Sequence, residues 1–304
     1  MQQNTSQYPG AFKAWMTAAR PKTWGVALAP VFIGLSCALM DTGRIDPLVA
    51  AATALLSVLM QAITNMENDA GYTKKKAETG NRKGLPRATS FGWLTVRQVE
   101  LAIRLLAVIA LLDTAYLISV GGWIMALITI CSIACAYCYM GGPKPLAYTP
   151  LSELCVFVFF GLTAVCGTYY LQTGTVSAAC MVLASAMGMI ATAVLVVNNY
   201  RDIEHDASIG RRTLAVVMGA KCTETLYGTL LLVPFALVAA VAASLAAWPL
   251  AIAAAALPKA VALIRTLPTK RAYELNPVLF ATVKLELMFS ALLTAGAILQ
   301  WMIG

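Results

Sequence analysis

Nine apolar stretches, at residues 24–40, 48–64, 101–120, 123–140, 151–171, 176–197, 225–244, 248–264 and 285–303, leave few folds open to this 304-residue chain. A helix that crosses a bilayer needs about 17–25 mostly apolar residues. Backbone groups in hydrocarbon must find their partners within the protein, so runs of that length are read as helices. The charge content agrees. Only 12% of residues are charged and 60% are hydrophobic, whereas a soluble domain carries roughly 25% charged residues. The expected fold is all-α, a polytopic membrane bundle of about nine transmembrane helices in a single domain, 1–304. Residues 1–19 carry no compact signal-peptide pattern. They are read as a cytoplasmic lead-in, with Phe12, Trp15 and Met16 on the membrane surface.

Charge placement orients the bundle. With the N-terminus cytoplasmic, the inner segments are 1–23, 65–100, 141–150, 198–224 and 265–284. Of the 22 Lys and Arg residues, only Arg44 then falls in an outer segment. The positive-inside rule predicts such a bias. Arg104 and Lys259 sit in inner helix ends, where their stems can snorkel. The net charge of +8 thus belongs to one face, near anionic headgroups. The expected location is the cell inner membrane, with membrane lipid and no nucleic acid as partner. Nucleic-acid binding has no use for nine apolar spans.

Two polar segments interrupt the oil: Asn65-Met66-Glu67-Asn68-Asp69, and Asn198-Asn199-Tyr200-Arg201-Asp202 running on to Asp206. Each ends an even-numbered span and opens a basic inner loop. The echo of Asn-xxx-Asp predicts two pseudo-repeat halves, about 20–140 and 150–304. A four-residue step puts side chains on one helical face, and two such faces can converge from opposite sides of a bundle. Carboxylate and amide oxygens suit Mg²⁺, which completes its shell with phosphate oxygens. The single histidine, His205, is read as a bystander, and no His/Cys cluster favours zinc. Cations behind a metal can grip phosphate, Arg through two parallel bonds. An ordinary positive-inside loop accounts for Lys74, Lys75 and Lys76. It does not account for acids at four-residue steps on one membrane face. Cys131, Cys135 and Cys138 form a helical stripe read as small apolar packing, and no disulfide framework is implied.

These motifs carry a resemblance. Asn65-xx-Asn68-Asp69, followed by Asn198-Asn199-x-Arg201-Asp202-xxx-Asp206-xxx-Gly210-Arg211-x-Thr213-Leu214, resembles the UbiA-type intramembrane prenyltransferases, and most of all their 1,4-dihydroxy-2-naphthoate branch, which serves menaquinone biosynthesis. Arg20-Pro21-Lys22-Thr23, Gly84-Leu85-Pro86-Arg87-Ala88-Thr89, the 141–148 segment and Asn276-Pro277 match as well. The resemblance implies transfer of a polyprenyl group from an allylic diphosphate to an aromatic acceptor, 1,4-dihydroxy-2-naphthoate, with loss of its carboxylate to give demethylmenaquinol. It implies Mg²⁺ as cofactor and an active site facing the cytoplasm. Asn65, Asn68 and Asp69 would serve one metal, and Asn198, Asp202 and Asp206 another. Arg20, Lys22, Arg82, Arg87, Arg201 and Arg211 would contact the diphosphate. Tyr139 matches a pocket tyrosine that would orient the ring or face the allylic cation. Asp69, Asp202, Asp206 and Tyr139 are the expected catalytic set.

The chain also departs from the pattern. Tyr72 stands where the first motif usually carries another Asp, Lys76 where the 4-hydroxybenzoate branch has an acid, and Arg211 where Lys is usual. The first metal site is therefore expected to be poor in charge. Asp113 lies within the third span and is a functional suspect by default. Glu153 opens the fifth span, where a negative charge is favourable in any case. The alternatives are another acceptor (4-hydroxybenzoate, a tetrapyrrole or a lipid) or a transporter, which would place its acids near mid-bilayer.

Overall fold

The computed structural model describes residues 8–74, 87–140 and 145–303, the side chains of Tyr72 and Met140 excepted. Every regular element among them is helical. In chain order they are α1 (Ala11–Ala19), α2 (Trp24–Thr42), α3 (Pro47–Lys74), α4 (Val96–Met140), α5 (Ser152–Val156), α6 (Ala164–Thr173), α7 (Ala178–Arg201), α8 (Ile203–Ser208), α9 (Leu214–Ser244), α10 (Leu257–Thr266) and α11 (Leu275–Ile303). A π-helical turn, Phe157–Thr163, joins α5 to α6, and a 3₁₀ stretch, Trp248–Ala256, leads into α10.

Eight helical stretches among the described residues are long and apolar enough to cross a membrane. One of them, α4, holds two of the expected spans. Its 45 residues would reach about 68 Å, over twice a hydrocarbon core of about 30 Å. Gly122 breaks it with φ 62° and ψ −151°, a conformation open only to glycine. The expected boundary between 120 and 123 falls on that break. Gly219 interrupts α9 in the same way, leaving a short Leu214–Met218 piece before the span. Charged side chains hid other helix ends. The last helix begins at Leu275, ten residues before the expected span, so Lys284 lies inside it rather than before it.

α7 forms the centre. Its apolar stretch is 67% buried, against 17% for α4, which runs along the periphery. Close packing around α7 depends on two glycines that meet. A Cβ on Gly161 would stand 2.5 Å from the Gly188 Cα, so only this small-residue contact lets the π-helical turn lie on α7. Along α1, Ala14 and Ala18 are buried while Phe12 and Met16 face outward. Trp15 instead packs inward, against the cluster of Met66, Ala70, Ala88 and Leu94. The cysteine stripe does not pack as expected either, since Cys131 and Cys138 are exposed on α4.

Candidate functional site

The two polar segments open onto one cavity of about 170 Å³ at one end of the bundle. From α3 comes Asn68, from the α7–α8 corner Asn198, Asn199, Asp202 and Asp206, and from α4 Tyr139. Arg20, Arg87 and Arg211 complete a cationic wall, and His205 lines the cavity too. Three spans and three loops therefore deliver carboxylates, amides, a phenol and guanidinium groups to one small volume.

The corner is built by local chemistry. α7 ends at Arg201, Asp202 leaves helical geometry with φ −103° and ψ 11°, and α8 restarts at Ile203. The Asp202 N–H donates to the Asn199 carbonyl at 3.2 Å, a three-residue step, and the Asp206 N–H donates to the Asp202 carbonyl at 2.8 Å, which restores the four-residue step from Asp202 to Asp206. Behind the corner, Arg201 makes four hydrogen bonds. Nε and Nη2 grip the two Asp202 carboxylate oxygens at 2.9 and 2.6 Å. Nη2 also donates to Asn198 Oδ1 at 2.9 Å, and Nη1 to Asn276 Oδ1 at 2.8 Å. Arg201 is 7% exposed and does not line the cavity, so it holds two cavity ligands from outside.

Asp206 is 1% exposed. Arg211 Nη1 donates to its Oδ1 at 2.9 Å, and Nη2 donates to the Ala147 carbonyl at 2.9 Å. The Arg211 guanidinium lies 4.9 Å over the Tyr148 ring. Among the described residues, Asp206 Oδ2 and Arg211 Nε are buried without a partner. Such orphans are costly and call for an explanation. Burial pushes the Asp206 carboxyl above the ordinary carboxylate range, against the pull of Arg211.

Neighbouring Asn199, also on the cavity wall, is held from outside. Its Nδ2 donates to Glu153 Oε1 at 2.8 Å, while Ser152 Oγ donates to Oε2 at 2.7 Å. Glu153 is thus more than a favourable charge at a helix start. It fixes the α7 end through a buried bond, and only the doubled Asn198-Asn199 hinted at it.

The first motif behaves differently. Asn68 lines the cavity, but Asn65 and Asp69 face elsewhere. One residue turns a helix by about 100°, and α3 continues regularly to Lys74. Asn65 Nδ2 donates to the Ala19 carbonyl at 3.0 Å and to Thr23 Oγ1 at 2.9 Å, tying α3 to the start of α2. Asp69 is fully buried and accepts from the Ala88 and Thr89 N–H groups, both at 2.9 Å. Lys22 is exposed, away from the cavity. Arg82 and Lys76 lie outside the described residues, as does the Tyr72 side chain. Asp113 lines a separate open groove of about 280 Å³ between α3 and α4, with Leu48, Leu55 and Tyr116.

Among the described residues no three His, Cys, Asp or Glu side chains cluster as a metal set. The cavity instead combines Asp202 and Asp206 with Asn68 and Asn198, all hard oxygen donors, and one carboxylate oxygen lacks a partner. That set fits Mg²⁺, which binds through one or two carboxylates and takes its remaining ligands from water and phosphate.

Comparison with known proteins agrees with this picture. The UbiA prenyltransferase family matches residues 27–297. A Mycobacterium tuberculosis protein named 1,4-dihydroxy-2-naphthoate octaprenyltransferase is 38% identical over 229 residues, covering 73% of this chain and 76% of its own. A Haemophilus influenzae protein of the same name is 35% identical over 215 residues, covering 68% and 70%. Among solved structures, a UbiA homolog from Archaeoglobus fulgidus bound to GPP and Mg²⁺ superposes with TM-score 0.66 at 17% identity, covering 92% of this chain and 99% of that one. An apo UbiA homolog from Aeropyrum pernix gives 0.68 at 16% identity, covering 90% and 97%, which shows the shared fold. The match over nearly the whole bundle, and the relatives above 30% identity, place this chain in the UbiA prenyltransferase family.

Proposed function

We propose that the protein transfers a polyprenyl group from an allylic diphosphate to 1,4-dihydroxy-2-naphthoate, with loss of the carboxylate, giving demethylmenaquinol. The observation that carries this is the single cavity in which Asn68 meets Asn198, Asp202 and Asp206 under Arg20, Arg87 and Arg211. The names of these two relatives support the acceptor. The ligands named for the Archaeoglobus fulgidus structures, GPP or DMAPP with Mg²⁺, support the donor and the metal.

Asn68, Asn198, Asp202 and Asp206 would hold Mg²⁺, with the Arg201 fork keeping the Asp202 carboxylate in place. Bound Mg²⁺ supplies the charge that lets a diphosphate leave. Arg20, Arg87 and Arg211 carry fixed positive charge to the same volume, and such preorganised charge stabilises a departing anion most in a water-poor site. The C–O bond of the allylic diphosphate breaks, a C–C bond forms to the ring, and CO₂ and diphosphate depart. Tyr139 offers an aromatic face to the developing allylic cation. The Lys and Arg bias supports an active site on the cytoplasmic side of the inner membrane.

The test is mass analysis of the product formed from 1,4-dihydroxy-2-naphthoate and an all-trans polyprenyl diphosphate. The expected mass is the quinol with one prenyl group and no carboxyl. Activity with 4-hydroxybenzoate and none with the naphthoate would reject the acceptor while leaving prenyl transfer intact.

A further inference from the structure

We infer that Asp69 is a positioning residue that acts through Arg87, and that it does not ligate the metal. This rests on the diphosphate reading of the cavity and says how one wall of it is held.

Asp69 has no exposed surface and does not line the cavity, although its neighbour Asn68 does. Its carboxylate is committed to the turn that follows Arg87. Oδ2 accepts from the Ala88 N–H, and Oδ1 from the Thr89 N–H and the Thr89 hydroxyl. That hydroxyl also contacts the Asp69 carbonyl at 2.9 Å and Thr73 Oγ1 at 2.7 Å, so it bridges two turns of α3. The turn closes on itself. Phe91 N–H donates to the Arg87 carbonyl, and Trp93 and Leu94 N–H groups donate to the Ala88 carbonyl. Gly92, at φ 69°, allows the reversal. Ala88 is fully buried against Met66, Ala70 and Ala14.

The residue immediately before this pinned pair is Arg87. It is 2% exposed and lines the cavity beside Asn68 and Asp202. Its backbone is fixed by the two amide bonds to Asp69, and with it the origin of a long cationic side chain. A metal that took the Asp69 carboxylate would have to displace buried backbone donors and leave them unsatisfied, which costs about 1–3 kcal/mol for each group. Asn68, one step round the helix, reaches the cavity at no such cost. The role left to Asp69 is to place the diphosphate-binding cation.

The test uses the full chain in nanodiscs with two binding readouts. Mn²⁺ affinity is followed by electron paramagnetic resonance, and geranyl diphosphate affinity in the presence of Mg²⁺ by calorimetry. Asp69→Asn is expected to weaken geranyl diphosphate roughly tenfold, the scale of one charge-assisted hydrogen bond, with Mn²⁺ affinity within about twofold of wild type. Combined with Arg87→Gln, it should add nothing to the loss from Arg87→Gln alone, because both act through one contact. Asp202→Asn is the contrast and should lower Mn²⁺ affinity instead. Thr89→Val keeps the Asp69 charge and serves where Asp69→Asn does not fold. It should weaken geranyl diphosphate about threefold or more, in line with one lost neutral hydrogen bond. A loss of Mn²⁺ affinity in Asp69→Asn equal to that in Asp202→Asn, additivity with Arg87→Gln, or an unchanged Thr89→Val would overturn the inference. Wild-type protein that binds no geranyl diphosphate would overturn the functional reading and this inference together, and the wild-type arm identifies that case.

Discussion

Arg201→Lys separates holding a ligand from holding a substrate. Arg201 makes four hydrogen bonds to three side chains, two of them to Asp202, and its side chain in the pair is only 3% exposed. Lysine keeps the charge but cannot reproduce a planar fork. An ammonium in its place can keep a bond to Asp202 but not the Asn198 and Asn276 contacts together. A bond to a charged group contributes about 1.5–3 kcal/mol. Losing one such bond's worth of Asp202 and Asn198 placement corresponds to a factor of roughly 10–100 in metal affinity. The assay is prenyl transfer at varied Mg²⁺ with saturating diphosphate, and then the reverse. Half-saturation by Mg²⁺ should rise by that factor, kcat at saturating Mg²⁺ should recover in large part, and KM for the prenyl diphosphate should change little. Normal Mg²⁺ dependence with a raised KM for the diphosphate would refute the reasoning. It would return Arg201 to the direct diphosphate contact that the sequence motif implied.

Three further outcomes follow from particular contacts. Asp206→Asn should lower kcat by at least about 100-fold, the usual scale for one preorganised electrostatic group, and leave the protein folded in the membrane; retained turnover would remove Asp206 from the metal set. Mg²⁺ affinity should fall as pH drops, because burial raises the Asp206 carboxyl in the metal-free protein and the ion must displace that proton. The sign is worked from the raised value. Protonated Asp206 favours the metal-free fold below the ordinary carboxylate range, that contribution is lost as pH rises through the raised pKa, and Mg²⁺ gains over the same interval. Metal titrations that are flat between mildly acidic and alkaline pH would contradict it. Gly161→Ala places a methyl 2.5 Å from the Gly188 Cα and should cost about 1–3 kcal/mol by overpacking; an unchanged thermal unfolding midpoint would show that this contact yields freely.

Much of the bundle was readable because lipid permits so little. A chain that must satisfy its backbone without water has helices as its main option, so apolar length located the spans. The break near residue 121 was legible because an unbroken helix of 45 residues would run far out of the bilayer instead of crossing it again, and two glycines, Gly121 and Gly122, stand there. The second motif was legible for a different reason. Asn198, Asp202 and Asp206 repeat at the helical period, and although the corner between α7 and α8 breaks the helix at Asp202, all three still reach the same cavity.

What the sequence alone determined was an all-helical membrane protein with two oxygen-rich segments at matching span ends, because hydrophobic length and helical period are local properties of a chain. Which side chains meet a ligand was decided by tertiary packing. The rotation of α3 is set by Asn65 against Ala19 and Thr23, and by Asp69 against the 88–89 turn. That rotation turns Asn68 inward and its acidic neighbour away. Arg201 and Arg211 look alike in sequence, yet one stands behind the cavity and the other on its wall. A motif names residue types at a spacing, but the direction each side chain takes depends on contacts with distant segments.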